Sequence, residues 1–281
     1  MIETGRLGLP LLDTVHQCQW RALLRMLPEQ SVDLLLSDLP YNSTACDWDR
    51  YVVPLEAFWR HVKRVMKPRG AVVLTGSQPF TSKLVMSNEA WFRYEWVWHK
   101  SLATGYLNAN RIPMKAHENI LVFYDAAGTY NPQKTSGKPY AATSGSVGGT
   151  VRDKTVGGWL TLNTGERFPR TVLDFDSTLA TVHPTQKPTA LFEYLIRTYT
   201  DPGAVVVDPF AGSGTTAVAA ANTGRHFICG DISQEYVDIA RWRLSTEFGA
   251  QRPPKPDPPD EDLPMLALIA AAGAAAKDGA A

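Results

Sequence analysis

Short apolar runs, several closing on an acid, alternate with helix-period segments along most of the chain, and few folds accommodate that alternation. VDLLLSD (32–38), AVVLT (71–75), AVVVD (204–208) and HFICGD (226–231) read as strands buried on both faces. YEWVW (94–98) and NILVFY (119–124) are further strands. Helix faces lie between them: Trp20, Leu23, Leu24 and Leu27, and then Leu55, Phe58, Trp59, Val62, Val65 and Met66, ended around Pro68 and Gly70. Leu191, Phe192, Leu195, Ile196 and Tyr199 form another face. TTAVAAANT follows a Gly-rich turn, and a last helix starts near Ser233 with Val237, Ala240, Leu244 and Phe248 inward. Strand and helix in alternation imply an α/β sheet with helices on both faces.

The 281 residues carry 28 basic and 28 acidic side chains, so any attraction to a polyanion must come from a local patch. Such a patch is at hand. Between Asn131 and Arg170 the rhythm breaks, and Lys134, Lys138, Arg152, Lys154, Arg167 and Arg170 face only Asp153 and Glu166. With Tyr130, Tyr140, Trp159 and Phe168 nearby, the stretch suits a nucleic-acid contact surface or, equally, a solvated loop. Residues 1–249 read as one domain, and 250–281, rich in proline and alanine, as a disordered tail. No apolar run has the length of a membrane span, and the first dozen residues do not form a secretory signal. Cys18, Cys46 and Cys229 are scattered, with no CxxC or HExxH, so neither a disulfide framework nor a metal is expected. A reducing cytoplasm is the natural setting. His99, His117, His226 and Glu118 read as structural.

Two constellations carry chemistry. The first, DPFAGSGTT (208–216), follows a buried strand and opens a helix, and Asp231 ends the next strand. Gly212 and Gly214 allow a tight turn and close backbone approach, and Asp231 can accept from ribose hydroxyls. The glycine spacing fits a nicotinamide dinucleotide as well as S-adenosylmethionine (SAM). Asp208 favours the second, because a carboxylate suits a cationic methionine end and repels a pyrophosphate. It can also simply cap the loop by accepting backbone N–H groups. The second constellation is Ser37-Asp38-Leu39-Pro40-Tyr41-Asn42 at the carboxyl end of the first long strand. Asp38 and the Leu39 carbonyl can accept two N–H bonds from an exocyclic amino group, Pro40 stiffens the turn, and Tyr41 can cover a planar ring. Alone, the segment reads more readily as a β-turn after a strand.

Together, SDLPY, HPTQKP (183–188) and DPFAGSGTT, in that order, resemble the beta group of amino-group DNA methyltransferases, and within it the phage-type solitary enzymes. LTGSQPFTSKL (74–84), EWVWHKSLATGYLNANRIPMKAHENILVFY (95–124) and GDISQEYVDIARWR (230–243) share the likeness. Leu39 stands where the family most often has proline, and Asp231 where it often has Glu. The resemblance implies a doubly wound, mostly parallel, seven-stranded methyltransferase sheet with an inserted recognition region at about 125–180. It implies SAM as cofactor, held by Asp208, Phe210, Gly212, Ser213, Gly214, Thr215 and Asp231, with His183, Thr185 and Lys187 from the second motif. It implies double-stranded DNA as partner, with Lys134, Lys138, Arg152, Lys154, Arg167 and Arg170 contacting it, and allows a homodimer. The expected product is N6-methyladenine from a flipped-out base. N4 methylation of cytosine ranks second, because that activity more often goes with Ser at the position of Asp38. An NAD-linked oxidoreductase would leave SDLPY unexplained.

Overall fold

The computed structural model describes residues 12–40, 52–144, 159–177 and 186–247. Tyr41, Arg152, Lys154, His183, Thr185 and the tail 250–281 lie outside the described residues. The first half carries β1 (Thr14–Gln17), α1 (Trp20–Met26), β2 (Val32–Ser37), α2 (Leu55–Val65), β3 (Met66–Gly76), α3 (Phe80–Ser87), β4 (Phe92–Thr104) and β5 (Lys115–Phe123). Then come β6 (Thr135–Ser136), β7 (Tyr140–Ser144), β8 (Trp159–Asn163), β9 (Glu166–Arg167) and β10 (Val172–Phe175). The chain closes with α4 (Thr189–Tyr199), β11 (Val205–Asp208), α5 (Thr215–Asn222), β12 (His226–Asp231) and α6 (Gln234–Glu247).

Eight strands form the main sheet in the order β1-β12-β11-β2-β3-β5-β4-β10, one more than expected. The pairings are parallel except for β5, which runs antiparallel to β3 and β4. β10 pairs in parallel with β4 at one edge. The period-two alternation of the strands sorts their side chains between two cores. Leu34, Leu36, Val73, Ile120, Val122 and Val206 face one way, against Leu191, Phe192, Leu195, Ala217, Val237 and Ala240 of α4–α6. Leu35, Val72, Leu74, Leu121, Phe123 and Val207 face the other way, against Trp20, Leu23, Phe58, Trp59, Val62 and Leu84 of α1–α3. Burying both faces is what the unbroken apolar runs demanded.

Two boundaries differ from expectation. The second helix stops at Val65, and Met66 is already extended and begins β3. Pro68 cannot continue a helix and pushes the residue before it towards extended backbone. The 131–170 stretch is not wholly irregular either. β6 pairs with β9, and β7 with β8, as two small antiparallel ribbons.

Candidate active site

β2 and β11 lie side by side, with Leu35 paired to Val207, so the turns after both strands open at the same edge of the sheet. In open α/β sheets ligands bind there, beyond the carboxyl ends of the strands.

Asp208 ends β11 and is buried. Its Oδ1 accepts the Ser37 hydroxyl at 2.6 Å and the Phe210 N–H at 3.0 Å, and its Oδ2 accepts the Thr216 hydroxyl. Burial pushes its carboxyl up to about 6, while the Ser37, Thr216 and Phe210 donors pull the other way. Asp208 thus ties the glycine loop to itself, to α5 and to the end of β2. The loop then turns through Gly212 (φ 48°) and Gly214 (φ 78°), conformations that favour glycine. A Cβ on Gly214 would lie 2.5 Å from that of Ala240, so α6 packs directly against the loop. From α6 the buried Arg243 donates to the Ser213 carbonyl at 2.7 Å and to the Ser213 and Thr215 hydroxyls at 3.1 Å. Asp231, at the end of β12, accepts the Gly212 N–H and the Ser233 N–H, both at 2.9 Å. Phe210 lies half-buried beside Trp20 and Phe58, with ring centroids 6.2 and 6.5 Å away.

Asp38 follows β2. Its Oδ1 accepts the Thr75 hydroxyl from β3, and its Oδ2 accepts Lys187 Nζ at 2.6 Å. Leu39 is buried in the core on the α1–α3 side, which fixes the backbone of this turn. Lys187 Nζ also lies 3.3 Å from Glu118 Oε2, and Glu118 Oε1 accepts Lys100 Nζ. Burial disfavours the Lys187 ammonium, yet Asp38 and Glu118 outweigh it and the lysine is held above its usual range. Glu118 behaves in the mirror sense: burial opposes its charge, but Lys187 and Lys100 hold its carboxyl below the usual range. A chain of alternating charges therefore runs from Asp38 through Lys187 and Glu118 to Lys100. The Lys187 carbonyl accepts the Thr215 hydroxyl at 3.4 Å, so one residue touches both the Asp38 turn and the start of α5.

The sequence-derived site is thus brought together at Asp38, Leu39, Lys187, Asp208, Gly212, Ser213, Thr215 and Asp231. Lys187 directs its ammonium at Asp38 and Glu118. Glu118, read from sequence as structural, stands in this charge chain, and Arg243 went unremarked. No local signal marked Glu118, which stands just before the apolar run 119–124, between His117 and Asn119. Among the six basic residues of the 131–170 stretch, Lys134 pairs with Glu166 at 2.7 Å and lies over the Phe168 ring. Arg167 donates to Asn163 and to the Lys138 carbonyl and lies 4.8 Å from the Tyr140 centroid, bracing the ribbons. Lys138 and Arg170 are exposed. Among the described residues no cluster of three His, Cys, Asp or Glu could hold a metal, and no helix could cross a membrane.

A doubly wound sheet with an acid-bearing turn beside a glycine loop at the carboxyl ends of its strands defines a class, the open α/β sheets with a nucleotide-type site. Similar solved folds include M1.HpyAVI, in a complex with SAM, at TM-score 0.59 and 24% identity over 82% of this chain and 99% of that one. They also include the cytosine-N4-specific PvuII DNA methyltransferase, at TM-score 0.60 and 17% identity over 82% of this chain and 85% of that one. The type II methyltransferase M.HpaI of Haemophilus parainfluenzae is 27% identical over 80% of this chain and 72% of its own length. M.BglII of Bacillus subtilis is 29% identical over 84% and 70%. The chain belongs to the DNA methylase family of N6 and N4 methyltransferases, whose model matches residues 32–241. That span holds both constellations, and the nicotinamide reading falls with it.

Proposed function

We propose that the chain is a SAM-dependent DNA methyltransferase that modifies the N6 amino group of a flipped-out adenine. The observation that carries this reading is the fixed Asp38 carboxylate one strand away from the glycine loop. SAM fits the donor set at that loop. Gly212 and Gly214 shape a close backbone turn, and Asp231 stands at the neighbouring strand end for a ribose. The guanidinium of Arg243 is committed to Ser213 and Thr215 and Lys187 to two carboxylates, which leaves these cations poorly placed for a pyrophosphate. When bound there, SAM supplies a methyl group on a cationic sulfur.

The amino nitrogen of adenine is a weak nucleophile because its lone pair is delocalised into the ring. Asp38 and the Leu39 carbonyl accept its two N–H bonds and favour a more tetrahedral nitrogen with its lone pair free. Thr75 and Lys187 hold the carboxylate in place, so orientation supplies much of the rate. The proton that the methylated nitrogen sheds leaves on the Asp38 side. A paired base cannot reach this turn, so the target leaves the stack, and Tyr41 offers the face to receive it. Lys138 and Arg170, together with Arg152 and Lys154, supply phosphate contacts from the inserted region.

Incubation with SAM and duplex DNA, followed by mass spectrometry of the released nucleosides, tests the reading. N6-methyladenine is the expected product. N4-methylcytosine would move the reading to the other branch of the family, and no methylated nucleoside would refute it.

A further inference from the structure

We propose that the tip of the β4–β5 hairpin is a wedge that enters the DNA duplex beside the target base, with Leu107 as the inserted side chain. The proposal rests on the DNA-methylating reading above and adds to it the element that opens the helix.

Strand register places the hairpin. Ser37 pairs with Leu74, Leu74 with Leu121, and Leu121 with Glu95, so Asp38 lies level with Thr75, Ile120 and Trp96. β4 runs on to Thr104 and β5 begins at Lys115. The shorter arm therefore extends five residues past Asp38. At ~3.3 Å per residue this is a reach of ~17 Å beyond the catalytic edge. A two-stranded ribbon of that kind fits the major groove.

The tip is built rather than loose. Gly105 (φ 93°) turns the chain into a 3-10 turn over Tyr106–Asn108. Backbone bonds then join Ala109 to Tyr106, Arg111 to Asn108 and Ile112 to Asn108 at 2.8 to 3.0 Å. On this ordered turn Leu107 is 97% exposed, Tyr106 78% and Ile112 58%. Scattered exposed apolar side chains are ordinary, but a cluster on one projecting tip marks a surface that something covers.

Charge selects the occupant. Residues 99–117 contain Lys100, Arg111 and Lys115 and no acid. Arg111 is exposed beside the apolar tip, and Lys115 closes the outer end of the paired arm, its ammonium donating to Ser77 Oγ. The ribbon's own acids, Glu95 and Glu118, lie at or below the level of Lys100, so the projecting part is acid-free with Arg111 at its apolar end, which suits a polyanion with an apolar interior, a DNA duplex. Proteins that open or kink DNA insert apolar side chains between base steps. Extruding a base leaves a gap that such a side chain can fill.

The test uses the full chain with SAM and a duplex bearing the site mapped by sequencing of modified DNA. 2-Aminopurine replaces the target base for fluorescence, and the natural base is kept for turnover. Leu107→Ala is expected to lose most of the fluorescence rise that wild type produces. It is also expected to lower kcat/KM on the matched duplex by about tenfold, since the target must be unstacked before transfer. A mismatch opposite the target, which lowers the cost of extrusion, should restore the variant to near wild type. A fold defect would not respond to the mismatch. Arg111→Gln should reduce the slope of log binding against log salt by about one.

Wild-type fluorescence and turnover in Leu107→Ala, or no rescue by the mismatch, would overturn the wedge. So would a sedimentation shift from dimer to monomer in Leu107→Asp with duplex binding unchanged, because a second copy would then be the occupant. Methyl transfer absent from wild type itself would strike the functional reading. Duplex affinity and salt slope, measured on the same variants, decide the hairpin's role in either case.

Discussion

The ammonium of Lys187 lies 2.6 Å from Oδ2 of Asp38, although 149 positions separate them in the chain. The same lysine bonds α5 through its carbonyl, so the turn expected to hold the base and the loop expected to hold the cofactor share one residue.

Asp38→Asn keeps the size of the side chain but removes the charge that Lys187 and the amino group both use. Methyl transfer should fall by at least about 10³-fold, in line with losing an orienting group at the reacting atom. SAM affinity, read by calorimetry, should stay within about threefold, since Asp38 lies one strand from the glycine loop. Near wild-type turnover would remove Asp38 from the catalytic assignment.

Glu118 reaches Asp38 through Lys187, which pairs with both, so the two should behave as a unit. Lys187→Met and Glu118→Gln are each expected to lower kcat by about 10- to 100-fold, and the double variant should be no worse than Lys187→Met alone. Additive losses would show that Glu118 works by another route. Unfolding in urea, measured on the same four proteins, separates loss of fold from loss of positioning.

Asp231→Ala removes the acceptor of the Gly212 and Ser233 N–H groups. SAM binding should weaken by about 1–3 kcal/mol, the cost of leaving polar partners unsatisfied. Gly214→Val should bind more weakly still. Its φ of 78° strains a β-branched residue, and its Cβ would collide with Ala240 of α6. Isothermal titration of both variants decides whether the pocket is at this loop.

The buried carboxyl of Asp208, pushed up to about 6, makes stability depend on pH. An ordinary aspartate in the unfolded chain titrates near ~3.9, so the folded state binds the extra proton between about pH 4 and pH 6. Stability from this group therefore rises as pH falls through that window, by about 3 kcal/mol in all. Relative to Asp208→Asn, wild type should gain unfolding free energy between pH 7 and pH 4. A difference that stays constant with pH would contradict the assignment.

β6 and β9 pair, with Thr135 opposite Arg167, so the ends of the inserted segment are already adjacent. Replacing 137–165 with a short Gly/Ser bridge should leave SAM binding intact. It should weaken DNA binding and flatten its salt dependence. A folded variant that still methylates the original site would show that recognition lies elsewhere.

The central strands were legible because burial on both faces leaves an unbroken apolar run, as in VDLLLS and AVVVD. The edge strands were not. TVHQ of β1 and VLDF of β10 are four residues each, and polar positions at a sheet edge carry no periodic signal. β4 was read as 94–98 and runs to Thr104, because the hairpin arm past Trp98 is largely exposed and so has no apolar pattern to betray it. The site followed the same division. Asp38 and Asp208 stand at the ends of readable strands. Glu118 and Arg243 gain their roles from partners 69 and 30 positions away, respectively, and no local pattern encodes such a pairing.

The position of β11 between β2 and β12 also governs how the chain is made. A growing chain releases β2 early, but the strand that covers its inner edge begins at Val205. Until then VDLLLS presents a bare row of backbone donors and acceptors, flanked by leucines that have lost half their cover. Pairing across so long a separation is slow, and exposed edges of this kind promote aggregation. Translation at ~5–20 residues per second leaves that edge open for many seconds. Yield in a heterologous host should therefore respond to temperature and chaperone supply more than to changes on the finished surface.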